Sequence, residues 1–322
     1  MRRPTYILIA LFVAATAVVN VAAQRLQTPQ VSQKASVMQR IGLTDISVTY
    51  SRPAVKGRKV YGDWVTNVPG EATLDNQNTR PKDAVLVPWG HVWRAGANEA
   101  TVFSTNDDVL INGKPLAAGR YELAAIPTKD GDWTIIFNKD ADQWGAFSYD
   151  ATKDVLRVPT KPSWGTDNVE FLTYSMDGVT DNSAVVTLRW EKAVVPFTVT
   201  VPDVSAKAMQ HLRDVVAAAK PDDFQTPGSA ATYAKGLKDM DSANKFYQAA
   251  LNATEVRIKA KEDFLSLRSK ASVLFAWGKN DEAIPVAEKA IAAGKADSSV
   301  KPADIAALEK RVADAKAPKP AN

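Results

Sequence analysis

Two periodicities divide the chain. From residue 36 to about 201 apolar positions recur every second residue; after Pro202 they recur at helical spacing. In the first stretch Ile46, Val48 and Tyr50 alternate with Ser47, Thr49 and Ser51, the pattern of a strand with one buried face. Val109-Leu110-Ile111 runs into Asn112-Gly113, a dipeptide that tolerates the positive φ of a tight hairpin turn. Strands at 120–126 and 133–138 flank the turn Lys129-Asp130-Gly131-Asp132. Others fall at 155–158, 169–176, 184–191 and 194–201, with Asp181-Asn182 turning into the third of these. Short strands without intervening helices predict an antiparallel β-sandwich; nothing in the pattern demands the closure of a barrel. Residues 63–87 interrupt it: Pro69-Gly70, Asp75-Asn76, Asn78 and Pro81 mark a long loop.

The second stretch predicts helices at 204–219, 230–251, 256–277, 281–293 and 302–315. Pro221, Pro227-Gly228 and Gly278-Lys279-Asn280 separate them. Asp281-Glu282 places acidic residues where the helix dipole favours them, and Pro302 suits a first turn. Asp241, Ala243, Ala250 and Leu251 recur 40 positions later as Asp281, Ala283, Ala290 and Ile291. Small Ala at matched positions lets helices pack closely, so the repeat implies stacked helix pairs. The second unit, with Gly278 at its turn and Ala283 and Ala290 behind it, resembles a tetratricopeptide repeat. It departs from that pattern in Pro285 and in exceeding the usual period of about 34, which implies an insertion at 252–260. The expected architecture is thus β then α: a sandwich at 36–201 followed by a short tetratricopeptide-like domain at 202–316.

The ends bear on where the chain works. Arg2 and Arg3, the apolar run 6–19 and Val21-Ala22-Ala23 read as a signal peptide over 1–23, too short to span a membrane, which needs about 20 apolar residues. Residues 24–35 read as a flexible leader and 317–322 as a tail. The expected location is periplasmic or secreted, after cleavage near Ala23. The chain has no Cys, so an exported form lacks disulfides, Cys nucleophiles and thiolate metal sites. The formal charge of +4 falls to +2 without Arg2 and Arg3, too weak to suggest nucleic acid.

Candidate chemistry concentrates at 88–101. Trp89 or Trp93 offers an apolar platform, Arg94 a donor fork, Asn98 and Glu99 polar contacts, and Gly96 close backbone approach, a set suited to a glycan or peptide. The same residues also suit a buried network in which Arg94 pairs with Glu99 and Trp93 fills the core. Arg52, Lys56 and Arg58, with Lys59, form a basic run that fits a carboxylate or phosphate, or a solvated loop. Lys139, Asp140, Asp142 and Trp144 make a second loop candidate, but calcium would need the Gly and closing Glu that the spacing lacks. With only His91 and His211 and no Gly-x-Ser-x-Gly elbow, nucleophilic catalysis has little support. Glu99 with Glu122 or Glu170 would be the residues of a glycosidase pair. No cofactor or metal is expected.

Longer motifs carry a resemblance. They are Ile41-Gly42-Leu43-Thr44-Asp45, Tyr50-Ser51-Arg52-Pro53, Val55-Lys56-Gly57-Arg58, the run from Val92-Trp93-Arg94 to Ala100-Thr101, Asn112-Gly113-Lys114, the run from Trp133 to Lys139, and Gln143-Trp144-Gly145. Over about 36–201 the chain resembles the domain-of-unknown-function family DUF 2911, whose members often carry helical repeats behind the β part. The resemblance implies no reaction, and it marks 63–87 as an insertion. The reading favoured is an exported, non-catalytic binding or scaffold protein. Its β part would take a glycan or peptide, and its helices would contact a protein partner. The alternative is a hydrolase acting on a glycan or peptide through Glu99 and a second carboxylate.

Overall fold

The computed structural model describes residues 28–64, 67–68, 70–75 and 83–317. The signal-peptide reading, the first four residues of the leader (24–27) and nearly all of the tail lie outside them, as does part of the 63–87 loop. Among the described residues, twelve strands come first and six helices follow.

The first strands, β1 (Gln33–Ile41) and β2 (Thr44–Arg52), pair without a slip from Gln33↔Arg52 to Ile41↔Thr44. The last three residues of the expected leader are therefore strand, because Gln33, Lys34 and Ala35 complete the ladder opposite Tyr50, Ser51 and Arg52. β3 (Tyr61–Gly62) and β4 (Val87–Pro88) pair in parallel and draw together the two ends of the 63–87 excursion. β5 (Val102–Thr105) follows, and β6 (Val109–Ile111) and β7 (Lys114–Leu116) turn through Asn112 and Gly113, at φ 45° and 80°. The remaining strands are β8 (Gly119–Ile126), β9 (Trp133–Asn138), β10 (Asp154–Thr160), β11 (Ser163–Asp177) and β12 (Ser183–Thr200). One antiparallel sheet has six strands in the order β1-β2-β5-β8-β9-β10, and another has four in the order β11-β12-β6-β7. The strands expected at 184–191 and 194–201 are one, β12; Glu191 takes φ +53° inside it, where β11 shifts register.

The two larger sheets share one apolar cluster. Ile46, Val48, Phe103, Leu123 and Phe137 come from the first, and Val186, Leu188, Trp190 and Phe197 from the second. At β8 and β9 the alternation expected of a half-exposed strand fails. Tyr121, Leu123, Ala125, Ile135 and Phe137 enter this core, yet Glu122, Ala124, Ile126, Ile136 and Asn138 between them are buried too. A second small cluster of Val92, Ala124, Ile126 and Ile136, with Tyr149 against it, covers the outer face. Val92 and Tyr149 thus bring the loops at 88–101 and 140–151 against the outside of the sheet while Trp93 and Ala95 enter the main core, and the candidate site lies where these loops meet.

The helices are α1 (Val204–Ala217), α2 (Gln225–Gly236), α3 (Met240–Ala260), α4 (Phe264–Trp277), α5 (Asn280–Ala296) and α6 (Pro302–Lys316). The helix expected at 230–251 is in fact two, because Lys238 turns left-handed (φ +62°) and Asp239 caps α3 by accepting the Ser242 amide at 3.0 Å. The same turn recurs 40 positions on, at Gly278 (φ +90°). Residues 252–260, expected as an insertion, extend α3, and α4 starts at Phe264 behind an Asp263–Ser266 capping box. Ala243, Ala250, Ala283 and Ala290 are all fully buried, as the repeat implied. Val204 joins helix to sheet: a Cβ added to Gly42 would lie 2.5 Å from Val204 Cγ1, and Gly42 itself needs φ +60°. Lys207 pairs with Asp107 at 2.8 Å beside that contact.

Candidate functional site

The segment 88–101 is an excursion from one lane of the six-stranded sheet. At its start Trp93 exchanges two backbone hydrogen bonds with Ala125 of β8, both 2.8 Å; at its end Leu123 N donates to Thr101 O at 2.7 Å. Residues 94–100 leave the lane between those anchors. Ala95 (φ +49°) and Asn98 (φ +57°) make the bends, and Gly96 has no room for a side chain because Thr101 Oγ1 would stand 2.5 Å from its Cβ. Thr101 and Tyr174 hydroxyls both donate to Ala95 O, at 3.2 and 3.0 Å. This backbone is fixed from both sides, which locates the side chains it carries.

Those side chains join loops. Trp93 is no platform: it lies in the core, stacked on Trp190 at 5.9 Å, with Nε1 donating to Gly96 O. Arg94 pairs with Asp75 rather than with Glu99, and the same Asp75 oxygen accepts the Ala146 amide at 2.8 Å. Asn98 Nδ2 donates to Ser32 O at 2.8 Å, and Asn98 O accepts the Gly145 amide at 2.8 Å. Glu99 forms a backbone bridge with Trp144 and accepts from Ser51 Oγ at 3.3 Å. Four separate stretches, around residues 32, 51, 75 and 145, are tied to one short loop. Trp144 itself stays 54% exposed.

Beneath this clasp lies Glu122, 0% exposed. One carboxyl oxygen accepts from Gln143 Nε2 at 2.8 Å; the other has no partner. Burial pushes its carboxyl up to about 8; the Gln143 bond pulls the other way, and Asp140, Asp154 and Asp75 push further up. Glu122 is therefore mostly protonated at neutral pH. Gln143 also gives its backbone oxygen to Ala100 N (3.0 Å) and its side-chain oxygen to Ser148 N (3.2 Å). Neighbouring Asn138 holds Asp150 O and Asp154, at 2.9 and 2.7 Å.

Outside the clasp Arg157 gathers a second network. It donates to Asp154 at 2.7 Å, to Glu71 at 2.6 Å and to the Tyr149 hydroxyl at 3.0 Å, while Tyr149 donates to Asp154 at 2.8 Å. Burial, then the Asp154 bond, raises the Tyr149 hydroxyl and keeps it a donor. Of these groups Glu71, Tyr149 and Arg157 line a pocket of about 540 Å³ with Thr73 and Phe147, the latter 44% exposed.

The basic run is elsewhere. Arg52 donates to Leu172 O (3.0 Å) and Thr173 Oγ1 (2.7 Å) against the Phe171 ring; Arg58 donates to Ala54 O and Val55 O; the Lys56 amide donates to Glu170. They fasten the loop after β2 to β11 and do not meet the 94–101 segment in any of these bonds. Lys139 is exposed and reaches Lys153 O only by its backbone amide. Asp140 pairs with Lys153 and Asp142 with Arg120, each at 2.9 Å, and among the described residues no group of three or more His, Asp or Glu is placed to hold a metal ion. Sequence reasoning missed Asp75, Gln143, Tyr149 and Arg157. It also missed the ring of Trp89, Trp93, Trp133, Trp164 and Trp190 about Tyr61, all with centroids within 6.5 Å.

No curated protein and no solved structure matches the chain. A family described as "Protein of unknown function (DUF2911)" matches residues 32–199, more than half of the chain, and the chain belongs to that family.

Proposed function

We propose that the protein is an exported, non-catalytic binding protein that takes a glycan through the outer face of its β part. The two large sheets form a sandwich that carries the site, and the helix pairs form a minimal tetratricopeptide-like stack that contacts a protein partner. The observation that carries this reading is the Arg157 pocket. It joins an exposed aromatic ring, Phe147, to a fixed fan of donors and acceptors from Arg157, Tyr149 and Glu71, and exposed Trp144 rides on the same loop. Aromatic faces beside fixed polar side chains suit the mixed surface of a sugar ring. A hydrolytic reading is less supported: Glu122 is sealed beneath Gln143, and Glu170 is engaged with the loop after β2. Calorimetric titration with neutral oligosaccharides of glucose, mannose and N-acetylglucosamine, and with short peptides, tests the proposal. Saturable heat with one sugar class, abolished in Phe147→Ala, is expected. Heat from peptides alone would reassign the ligand, and product release from any sugar would restore the hydrolase.

A further inference from the structure

Two adjoining cavities open in the helical part, where the 218–224 connection, the end of α3 and the start of α4 meet. They hold about 470 and 250 Å³. Asp222, Arg257 and Leu265 line both, so they stand where the two join. The larger has apolar walls from Pro221, Val256 and Ala260, and the large side chains Val256 and Leu265 remain exposed there. Most of the charge around them is already matched. Lys261 pairs with Asp263 at 3.2 Å, Asp263 and Asp223 cap α4 and α2, and Arg268 pairs with Asp304 at 3.0 Å.

Arg257 and Asp222 differ. Among the described residues neither charged group has a hydrogen bond or ion pair, and Arg257 Nε is sealed from solvent with no acceptor among them. The Arg257 guanidinium carbon lies 5.4 Å from the centre of the Phe224 ring, a cation–π contact that leaves the donor fork unsatisfied. We propose that this double cavity binds a free α-amino acid with an apolar side chain. Its carboxylate meets the Arg257 fork, its ammonium meets Asp222, and its side chain packs against Val256, Ala260 and Leu265. A simple anion would satisfy Arg257 but meet repulsion from Asp222, and a simple cation the reverse. A neutral apolar molecule would cover two unpaired charges, which is costly. A zwitterion answers both charges at once, and cavities of this size hold small ligands.

Calorimetric titration of the full chain with L-leucine tests the proposal. Saturable binding is expected, weakened about tenfold or more in Arg257→Gln and in Asp222→Asn, as loss of a charged hydrogen bond requires. N-acetyl-leucine, which lacks the ammonium, and leucinamide, which lacks the carboxylate, are expected not to compete. Asp222 is exposed and outside the packed clusters, so Asp222→Asn is expected to keep the parent melting temperature while losing leucine. Absence of leucine binding at millimolar concentration overturns the proposal. So does N-acetyl-leucine binding as tightly as leucine, which would make the cavity a plain anion receptor, and so does unweakened binding by either variant.

Discussion

Glu122→Gln should remove a pH dependence that the native protein carries. The native carboxyl holds its proton up to about pH 8, whereas the unfolded chain releases it near 4.5. Between those values the native state binds more protons than the unfolded state, so stability falls as pH rises. The slope is at most about 1.4 kcal/mol per pH unit, and it vanishes above pH 8, where both states are ionised. Over the whole window the loss is on the order of 5 kcal/mol, a large fraction of the roughly 5–15 kcal/mol by which domains are stable. Gln keeps the shape of the protonated acid and still presents an oxygen to Gln143 Nε2, so the variant lacks the titration but keeps the bond. Urea unfolding of both proteins from pH 5 to 9 reads the effect. The difference between their stabilities should shift steadily in favour of Glu122→Gln up to pH 8 and then level off. Parallel curves across the range would refute the argument, because they would mean that Glu122 is ionised in the native state at ordinary pH.

Other substitutions probe the clasp and the helical turn. Asp75→Ala leaves Arg94 without its partner and frees the Ala146 amide; a loss of about 2 kcal/mol is expected in chemical denaturation, less than for a fully sealed pair. Trp93→Ala empties a core position stacked on Trp190 and should cost about 3–5 kcal/mol, whereas Trp144→Ala, on the surface, should change stability by less than about 0.5 kcal/mol. Lys238→Gly relieves a left-handed turn that its repeat partner Gly278 makes freely, and should stabilise the helical part by about 1 kcal/mol. No gain in the unfolding midpoint would mean that the Lys238 turn carries little strain.

The β-then-α order, the hairpin at Asn112-Gly113 and the Ala-lined helix pairs were legible because they rest on local rules: alternation, turn chemistry and helical spacing. The break at Lys238 was not, because Gly236-Leu237-Lys238-Asp239 keeps helical spacing across a turn that Asp239 caps. The site was half legible. The density of polar and aromatic residues at 88–101 marked a special segment, and the expectation of a buried network was close to what forms, yet the partner named for Arg94 was wrong. Asp75 lies 19 residues before Arg94 in a stretch that looked like loop, and nothing local links them. Glu122 and Asn138 look like the outward positions of alternating strands; only the loops folded over them make them interior. Trp93 was open to both readings, platform or core, and the two bonds to Ala125 with the stacking on Trp190 place it in the core.

If the 94–101 segment is a structural clasp and the ligand face lies beyond it, at Phe147 and Arg157, substitutions at the two places should have opposite effects. Thermal unfolding of the native protein, Asn98→Ala and Phe147→Ala, each with and without the oligosaccharide found by calorimetry, tests this most directly. A ligand that binds only the folded state raises the midpoint by mass action. Asn98→Ala should melt lower, having lost a hydrogen bond and the residue type suited to its φ of +57°, and should keep the ligand-induced rise. Phe147→Ala should melt near the native midpoint and lose the rise. The opposite pattern, with Asn98→Ala stable but unresponsive and Phe147→Ala fully responsive, would place the ligand on the 94–101 segment and contradict the account.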